Sequence, residues 1–192
     1  MTYRLICTRH FLKVQIDPID SDTVRVTCEV NRRIKNIGSS PEEVRTYLHI
    51  DDWGFKEPSK ILDCRVELEN GKKIMGAPQT RTDSTVLFEG KPVLVKPGKH
   101  VTAVSKWSEV RRVNDYVYFH FRYPTLNPEI EVPPVQGLKI THSFGTASSE
   151  TEEVSTGREV VRGTYMPLHH MVVRWWPESN FAQQKVRAYP GA

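Results

Sequence analysis

Seven histidines and three cysteines are the side chains in this sequence that could bind a metal, carry a proton or attack a substrate. A metal site on a β-strand commonly uses two histidines one residue apart, because alternate residues share a face of the sheet. No such pair occurs, and the adjacent His169 and His170 would point to opposite faces of an extended chain. The sequence therefore predicts no metal ligands and no cofactor.

The cysteines lack the surroundings of a catalytic nucleophile. Cys28 and Cys64 fall in phase with Val and Leu neighbours, which is typical of small buried apolar residues, and Cys7 has no recognisable partner. Neither a G-x-S-x-G turn nor a glycine-rich phosphate loop is present. We therefore predict no catalytic residue.

Two aromatic stretches could bind a ligand. One is an Asp pair followed by a Trp at the end of a predicted strand, and the other is the aromatic strand 116–123. We predict a ligand-binding role for members of both: Asp51, Asp52, Trp53, Tyr118, His120 and Arg122. The alternatives are that the Asp pair caps a turn while the Trp seals an edge, and that the aromatic strand packs in the core or stacks nucleic-acid bases.

The last predicted strand is the most promising surface for a protein partner. Large side chains of the kind that anchor interfaces are concentrated there: His169, His170, Trp175 and Trp176. The two adjacent Trp residues must face opposite ways on a strand, so one of them is expected in the core. We predict that this group contacts a partner, although it could equally form a lid within the molecule.

These residues are positioned by elements whose dominant period is two, the mark of half-buried strands. Val24, Val26, Cys28 and Val30 alternate with polar residues, and Asn70-Gly71 between two such runs is a strong hairpin signal. About ten to twelve short strands alternate with turn residues, and no βαβ pattern occurs. The sequence predicts an all-β, antiparallel β-sandwich of the Ig-like or jelly-roll-like kind, with a closed β-barrel as the alternative.

Composition is that of one soluble intracellular domain. The net charge of +4 is far below that of a dedicated DNA-binding arm, and the odd, widely spaced cysteines do not suggest a disulfide framework. The start of the chain lacks the apolar core of a signal peptide, and no apolar run is long enough to cross a bilayer. We predict a single cytoplasmic domain over 1–192, with a mobile loop at 146–157 and a C-terminal tail at 181–192.

With no catalytic motif, binding is the favoured function. We predict a non-enzymatic binding or assembly module that contacts a protein partner or a second copy of itself. One alternative is a small-molecule or lipid-headgroup sensor with a pocket between the sheets near Trp53, Tyr118 and His120. Others are a nucleic-acid-binding β domain and an enzyme in which distant groups such as Asp51 and His169 converge.

Overall fold

The computed structural model describes residues 3–51, 55, 57–75, 80–81, 85–146, 149–153 and 156–178. Their regular structure is almost entirely β-strand, as the alternating pattern predicts. The strands are β1 (Leu5–Pro18), β2 (Thr23–Asn36), β3 (Glu42–Val44), β4 (Tyr47–Asp51), β5 (Lys60–Leu68), β6 (Lys73–Met75), β7 (Thr80–Arg81), β8 (Thr85–Glu89), β9 (Val93–Val95), β10 (His100–Arg112), β11 (Asp115–His120), β12 (Thr125–Leu126), β13 (Glu129–Val132), β14 (Leu138–Thr146), β15 (Ser149–Glu153), β16 (Gly157–Val160), β17 (Thr164–Tyr165) and β18 (His170–Pro177).

The first two strands form a long antiparallel hairpin. Leu12 lies opposite Val30 and Val14 lies opposite Cys28, so their alternating apolar side chains line one face. The turn is closed by the carboxylate of Asp20, which accepts hydrogen bonds from the backbone N–H groups of Asp22 and Thr23 at 2.9 and 2.7 Å. This is the turn chemistry for which short polar side chains are favoured.

The hairpin is the centre of the largest sheet, which runs in the order β16-β13-β1-β2-β10-β5-β6. Strand β10 pairs along its length with β2 on one side, and over residues 101–108 with β5 on the other. Residues 107–112 of β10 all pair with β2, and Trp107 and Ser108 pair with β5 as well. Two pairings, of β1 with β12 and with β13, are parallel and were not expected.

Three smaller sheets complete the fold: β11-β18-β14-β15, β4-β8-β7 and β3-β9. The larger of two hydrophobic clusters joins the big sheet to the first two of these, with Leu12 and Trp107 on one side and Phe88 and Trp175 on the other. The smaller cluster packs Val44, Val93 and Val95 of β3 and β9 and their surroundings against the far end of the big sheet. Sheets packed face to face over a shared core are the arrangement of a β-sandwich, and none of the described sheets closes into a barrel.

The β5–β6 hairpin forms at Asn70-Gly71 as predicted. Arg65 pairs with Met75 and Glu67 with Lys73, and Gly71 takes a φ of +79°, which favours glycine. Cys28 and Cys64 are buried in the core, as their phase in the sequence predicts. Glu42–Val44 forms the short strand β3.

Two remaining regions bear on the predicted domain organisation. Within the predicted mobile loop, Ser149–Glu153 forms β15 and pairs with β14, whereas residues 147, 148, 154 and 155 and the predicted tail lie outside the described residues. The mobility of the loop stays a prediction. No helix in the described part of the chain is long and apolar enough to cross a membrane.

Candidate functional site: a cleft between two sheet edges

A cleft of about 620 Å³ opens between two of the smaller sheets. One side is β4, the end strand of its sheet, and the other is β11, the end strand of another. The floor is β10 of the large sheet. The lining residues are His49, Ile50, Phe55, Trp107, Glu109, Arg111, Arg112, Asn114, Asp115, Tyr116, Val117 and Tyr118. Four consecutive β11 residues, 115–118, line it, which is what an edge-on strand presents.

The floor carries a buried charged pair. Trp107, Glu109 and Arg111 alternate along β10 and therefore share its inner face. Only 3% of Glu109 is exposed, and its carboxylate accepts hydrogen bonds from Trp107 Nε1 at 3.3 Å and from Arg111 Nε at 2.8 Å. Arg111 Nη1 also lies 3.7 Å from the carboxylate of Asp115 on β11. This network ties the floor of the cleft to one of its walls.

Burial and neighbouring charge shift the pKa of Glu109 in opposite directions. Burial raises the pKa of its carboxyl above the ordinary value of 4.5, while the charge of Arg111 and the hydrogen bonds from Trp107 and Arg111 lower it. The burial effect is the larger one. Glu109 is therefore a carboxyl whose ionised form depends on its Arg partner.

The β11 wall is aromatic. Tyr116 and Tyr118 are 52% and 43% exposed, so they offer ring faces to a ligand. Tyr118 stacks on His170 at 4.9 Å between ring centroids and meets His120 edge-on at 4.6 Å, which fixes the orientation of its ring. Burial, followed by the nearby His170, lowers the pKa of His120, so the neutral form of the His120 imidazole is favoured.

The outer edge of β11 offers backbone groups to the cleft. The other edge pairs with β18 over Asp115 to His120. The N–H of Tyr116 donates to the side chain of Asp115 at 2.8 Å, and its hydrogen bond is thus made by a local carboxylate rather than by a neighbouring strand. Among the described strands, none pairs with this edge of β11 or with the corresponding edge of β4.

The predicted ligand-binding residues are divided among three places. Tyr118 lines the cleft. His120, two residues further along the same face of β11, contacts the Tyr118 ring. The Arg122 guanidinium lies over the ring of Tyr47, 4.8 Å from its centroid, rather than in the cleft lining. Asp51 ends β4, while Asp52 and Trp53 lie outside the described residues. Ligand binding by this set stays a prediction.

The predicted partner-binding residues lie on or beside β18, and three of the four are buried. Trp175 is fully buried and its Nε1 donates to the backbone carbonyl of Arg112 at 2.9 Å. Trp176 and His170 are 8% and 7% exposed, and His169 accepts a hydrogen bond from the backbone N–H of Met166 at 3.3 Å. A partner contact through these residues stays a prediction.

Sequence reasoning missed the floor of the cleft. Trp107, Glu109 and Arg111 follow Ser105 at a spacing of two, and this alternation was the signal that they share a face of one strand. Among the described residues, no group of three His, Cys, Asp or Glu side chains is arranged to hold a metal ion. The cleft combines aromatic walls, a buried ion pair and open strand edges, and such a surface can bind an apolar group and pair with a main chain.

Comparison with known proteins gives no family assignment. No protein-family model matches the chain, and no curated protein matches its sequence. Among solved structures, a mutant form of the M1 zinc metallopeptidase from Deinococcus radiodurans is similar over 88% of this chain and 42% of its own, with a TM-score of 0.48 and 12% identity. A candidate nutrient-binding protein from Legionella pneumophila is similar over 95% of this chain and 70% of its own, with a TM-score of 0.49 and 11% identity.

A third similar structure is a candidate protease from Parabacteroides distasonis, with a TM-score of 0.45 and 10% identity over 89% of this chain and 40% of its own. The chain spans about two fifths of the length of the metallopeptidase. Likeness at this level assigns neither a family nor an activity.

Proposed function

We propose that the protein is a binding module that takes an extended peptide segment of a partner protein into the cleft between β4 and β11. The observation that carries this proposal is that both strands are the end strands of their sheets and face a common cleft. An extended peptide can add to such an edge, where main-chain hydrogen bonds supply affinity and side-chain pockets supply specificity.

The lining of the cleft supports an apolar side chain at its centre. The Trp107 ring lies at the floor, and its edge is fixed by the hydrogen bond to Glu109 and by the tilted contact with Phe119 at 5.9 Å. Tyr116 and Tyr118 stand on the β11 side. A peptide strand that pairs with β11 would alternate its side chains, placing every second one over the floor.

The size of the cleft also fits a bound ligand. Binding pockets commonly enclose about 300–1,000 Å³, and a volume of about 620 Å³ lies within that range. The floor supplies polar groups in fixed positions, since Arg111 is held by Glu109 and lies near Asp115. Preorganised polar groups beside apolar walls favour specific binding rather than general adhesion.

The test is a proline substitution that removes one backbone donor from the edge of β11. The N–H of Tyr116 bonds to Asp115 and not to β18, so Tyr116→Pro should leave the β11–β18 ladder in place. Tyr116→Ala is the matched control, because it removes the same ring and keeps the N–H. Short peptides selected from a random displayed library are the probe.

We expect the selected peptides to bind the wild type and Tyr116→Ala, in which a peptide carbonyl can take over the Tyr116 N–H from the Asp115 carboxylate, and to lose about tenfold in affinity for Tyr116→Pro, which lacks this donor. Hydrogen exchange should show slower exchange of the amides of residues 115–118 in the complex. Failure to select any binder, or equal affinity for the two variants, would contradict strand addition. Thermal unfolding of both variants checks that they remain folded.

A small-molecule ligand is the second candidate, and the buried pair under the aromatic wall favours it. A compact ligand could stack on Tyr118 while a polar end meets Arg111. Such a ligand would not use the Tyr116 N–H. In a fragment screen by thermal shift, its binding should therefore be equal in Tyr116→Pro and Tyr116→Ala and should be weakened by Arg111→Met.

A further inference from the structure

Arg32 lies on the inner face of the large sheet, at a position where the pattern of β2 calls for an apolar residue. Its neighbours on that face, Val30 and Ile34, are buried, and they belong to the two separate hydrophobic clusters. In register, Arg32 lies opposite His10 on β1 and Ala103 on β10. A guanidinium thus stands at the boundary between the two halves of the core.

The Arg32 guanidinium has few acceptors around it. Its Nη2 donates to Ser105 Oγ at 3.4 Å, and its Nε is buried without a hydrogen-bond partner. Burial lowers the pKa of Arg32, and the ionisable groups that act on it are two thiols, a phenol and a second guanidinium: Cys7, Cys64, Tyr123 and Arg122. None of these is a carboxylate. Arg32 as a whole is partly exposed, but a cation whose Nε is enclosed without an anionic partner is destabilising unless an anion is supplied.

His10 is the second undersatisfied group at this position. It is 4% exposed, its Nε2 has no hydrogen-bond partner, and its ring meets Phe121 edge-on at 5.1 Å. Burial, then the charge of Arg32, lowers the pKa of His10 to about 3, so the imidazole is neutral at physiological pH. A neutral imidazole can donate one hydrogen bond, and Ser105 brings a hydroxyl.

We propose that Arg32, His10 and Ser105 form a binding site for an oxyanion, the carboxylate or phosphate group of a small ligand. The guanidinium is the side chain whose forked donors match both groups, and its unpartnered Nε–H, together with His10 Nε2 in the tautomer protonated there, would donate to the oxyanion. Ser105 is 2% exposed and lies between Arg32 and Cys64, which fixes its hydroxyl beside the guanidinium. This site uses none of the lining residues of the cleft.

The test compares two arginines that are adjacent on β2. Arg32→Met removes the partly buried charge on the inner face, and Arg33→Met removes the same charge from the exposed, opposite face. The probes are inorganic phosphate and acetate, added at constant ionic strength with chloride as the background anion. Thermal unfolding and calorimetric titration measure binding, and the imidazole resonances of His10 report whether the anion reaches the site.

We expect phosphate or acetate to raise the unfolding temperature of the wild type and of Arg33→Met, and to shift the His10 resonances in both. In Arg32→Met the affinity should fall about tenfold or more, the loss of a charge-assisted hydrogen bond. A response to phosphate alone assigns a tetrahedral oxyanion, and a response to acetate alone assigns a carboxylate. Equal responses of Arg32→Met and Arg33→Met, or His10 resonances that do not move, would overturn the proposal.

Discussion

Removal of Arg111 should expose how strongly the floor of the cleft depends on its ion pair. The side chains of Glu109 and Arg111 are 3% and 12% exposed and meet at 2.8 Å. Arg111→Met leaves the Glu109 carboxylate buried with only the Trp107 donor. Breaking a buried pair by removing one partner costs about 3–5 kcal/mol, because an uncompensated charge remains. We therefore expect a loss of that size in the free energy of unfolding at neutral pH.

The partner substitution should cost much less. Glu109→Gln keeps an oxygen acceptor for Trp107 and leaves Arg111, which is less deeply buried than Glu109, with the carboxylate of Asp115 at 3.7 Å, so we expect a loss of about 1 kcal/mol. In the double variant no carboxylate is left unpaired. Its loss in the free energy of unfolding should therefore be smaller than the sum of the two single losses by about 1–3 kcal/mol. Urea unfolding followed by far-UV circular dichroism measures all four proteins. A cost below about 1 kcal/mol for Arg111→Met, with no coupling, would mean that the pair behaves as a solvent-exposed salt bridge.

The same variants should differ in their dependence on pH. Burial raises the pKa of Glu109 in the folded protein above the ordinary 4.5, so its contribution to stability is fully present below that value and is lost as pH rises through the folded pKa. Arg111 lowers the pKa of Glu109, so without Arg111 the loss of stability with rising pH should be larger. The difference in stability between Arg111→Met and the double variant should therefore grow as pH rises from about 4.5 toward neutrality. A difference independent of pH would show that Glu109 does not titrate differently on folding.

Three further predictions concern packing. A Cβ at Gly90 would lie 2.1 Å from Thr46 Oγ1 and 3.1 Å from the Thr46 carbonyl oxygen, so Gly90→Ala should cost about 1–3 kcal/mol in urea unfolding, and Thr46→Ala should recover part of it. All three thiols are buried, and burial raises the pKa of Cys7 to about 11, so a thiol reagent at neutral pH should label the protein only as fast as it unfolds. Trp175→Phe leaves the Arg112 carbonyl without its donor and should cost about 1–3 kcal/mol, which thermal unfolding would detect as a lower midpoint.

The local features of this fold can be predicted from the sequence, because period-two alternation and turn chemistry act over a few residues. The β1–β2 and β5–β6 hairpins are of this kind. The sequence does not reveal which strands become neighbours, since alternation gives the face of a side chain but not the strand beside it. The pairing of β1 with β13, and the placing of β4 and β11 on either side of one cleft, depend on such distant contacts.

The candidate site was predictable only in part for the same reason. Tyr118 could be singled out, because an aromatic strand with exposed rings is visible locally. Glu109 and Arg111 become a buried pair only because β10 lies beneath the two smaller sheets. Arg32 carried a local signal, since it falls in phase with Val30 and Ile34. A charged residue in phase with a buried apolar series breaks the local pattern, and such breaks are expected at functional sites.

The two charges on the inner face of the large sheet cannot neutralise each other. Glu109 on β10 lies opposite Val26 on β2. Arg32 is also on β2, about six residues beyond Val26, so Glu109 and Arg32 are about six residues apart along the strand direction. At roughly 3.3 Å per residue this is about 20 Å, far beyond the roughly 4 Å of an ion pair. Each charge must therefore be compensated locally. Glu109 is paired with Arg111, whereas the described residues that act most strongly on Arg32 include no carboxylate, and an oxyanion from outside the chain would supply the missing charge.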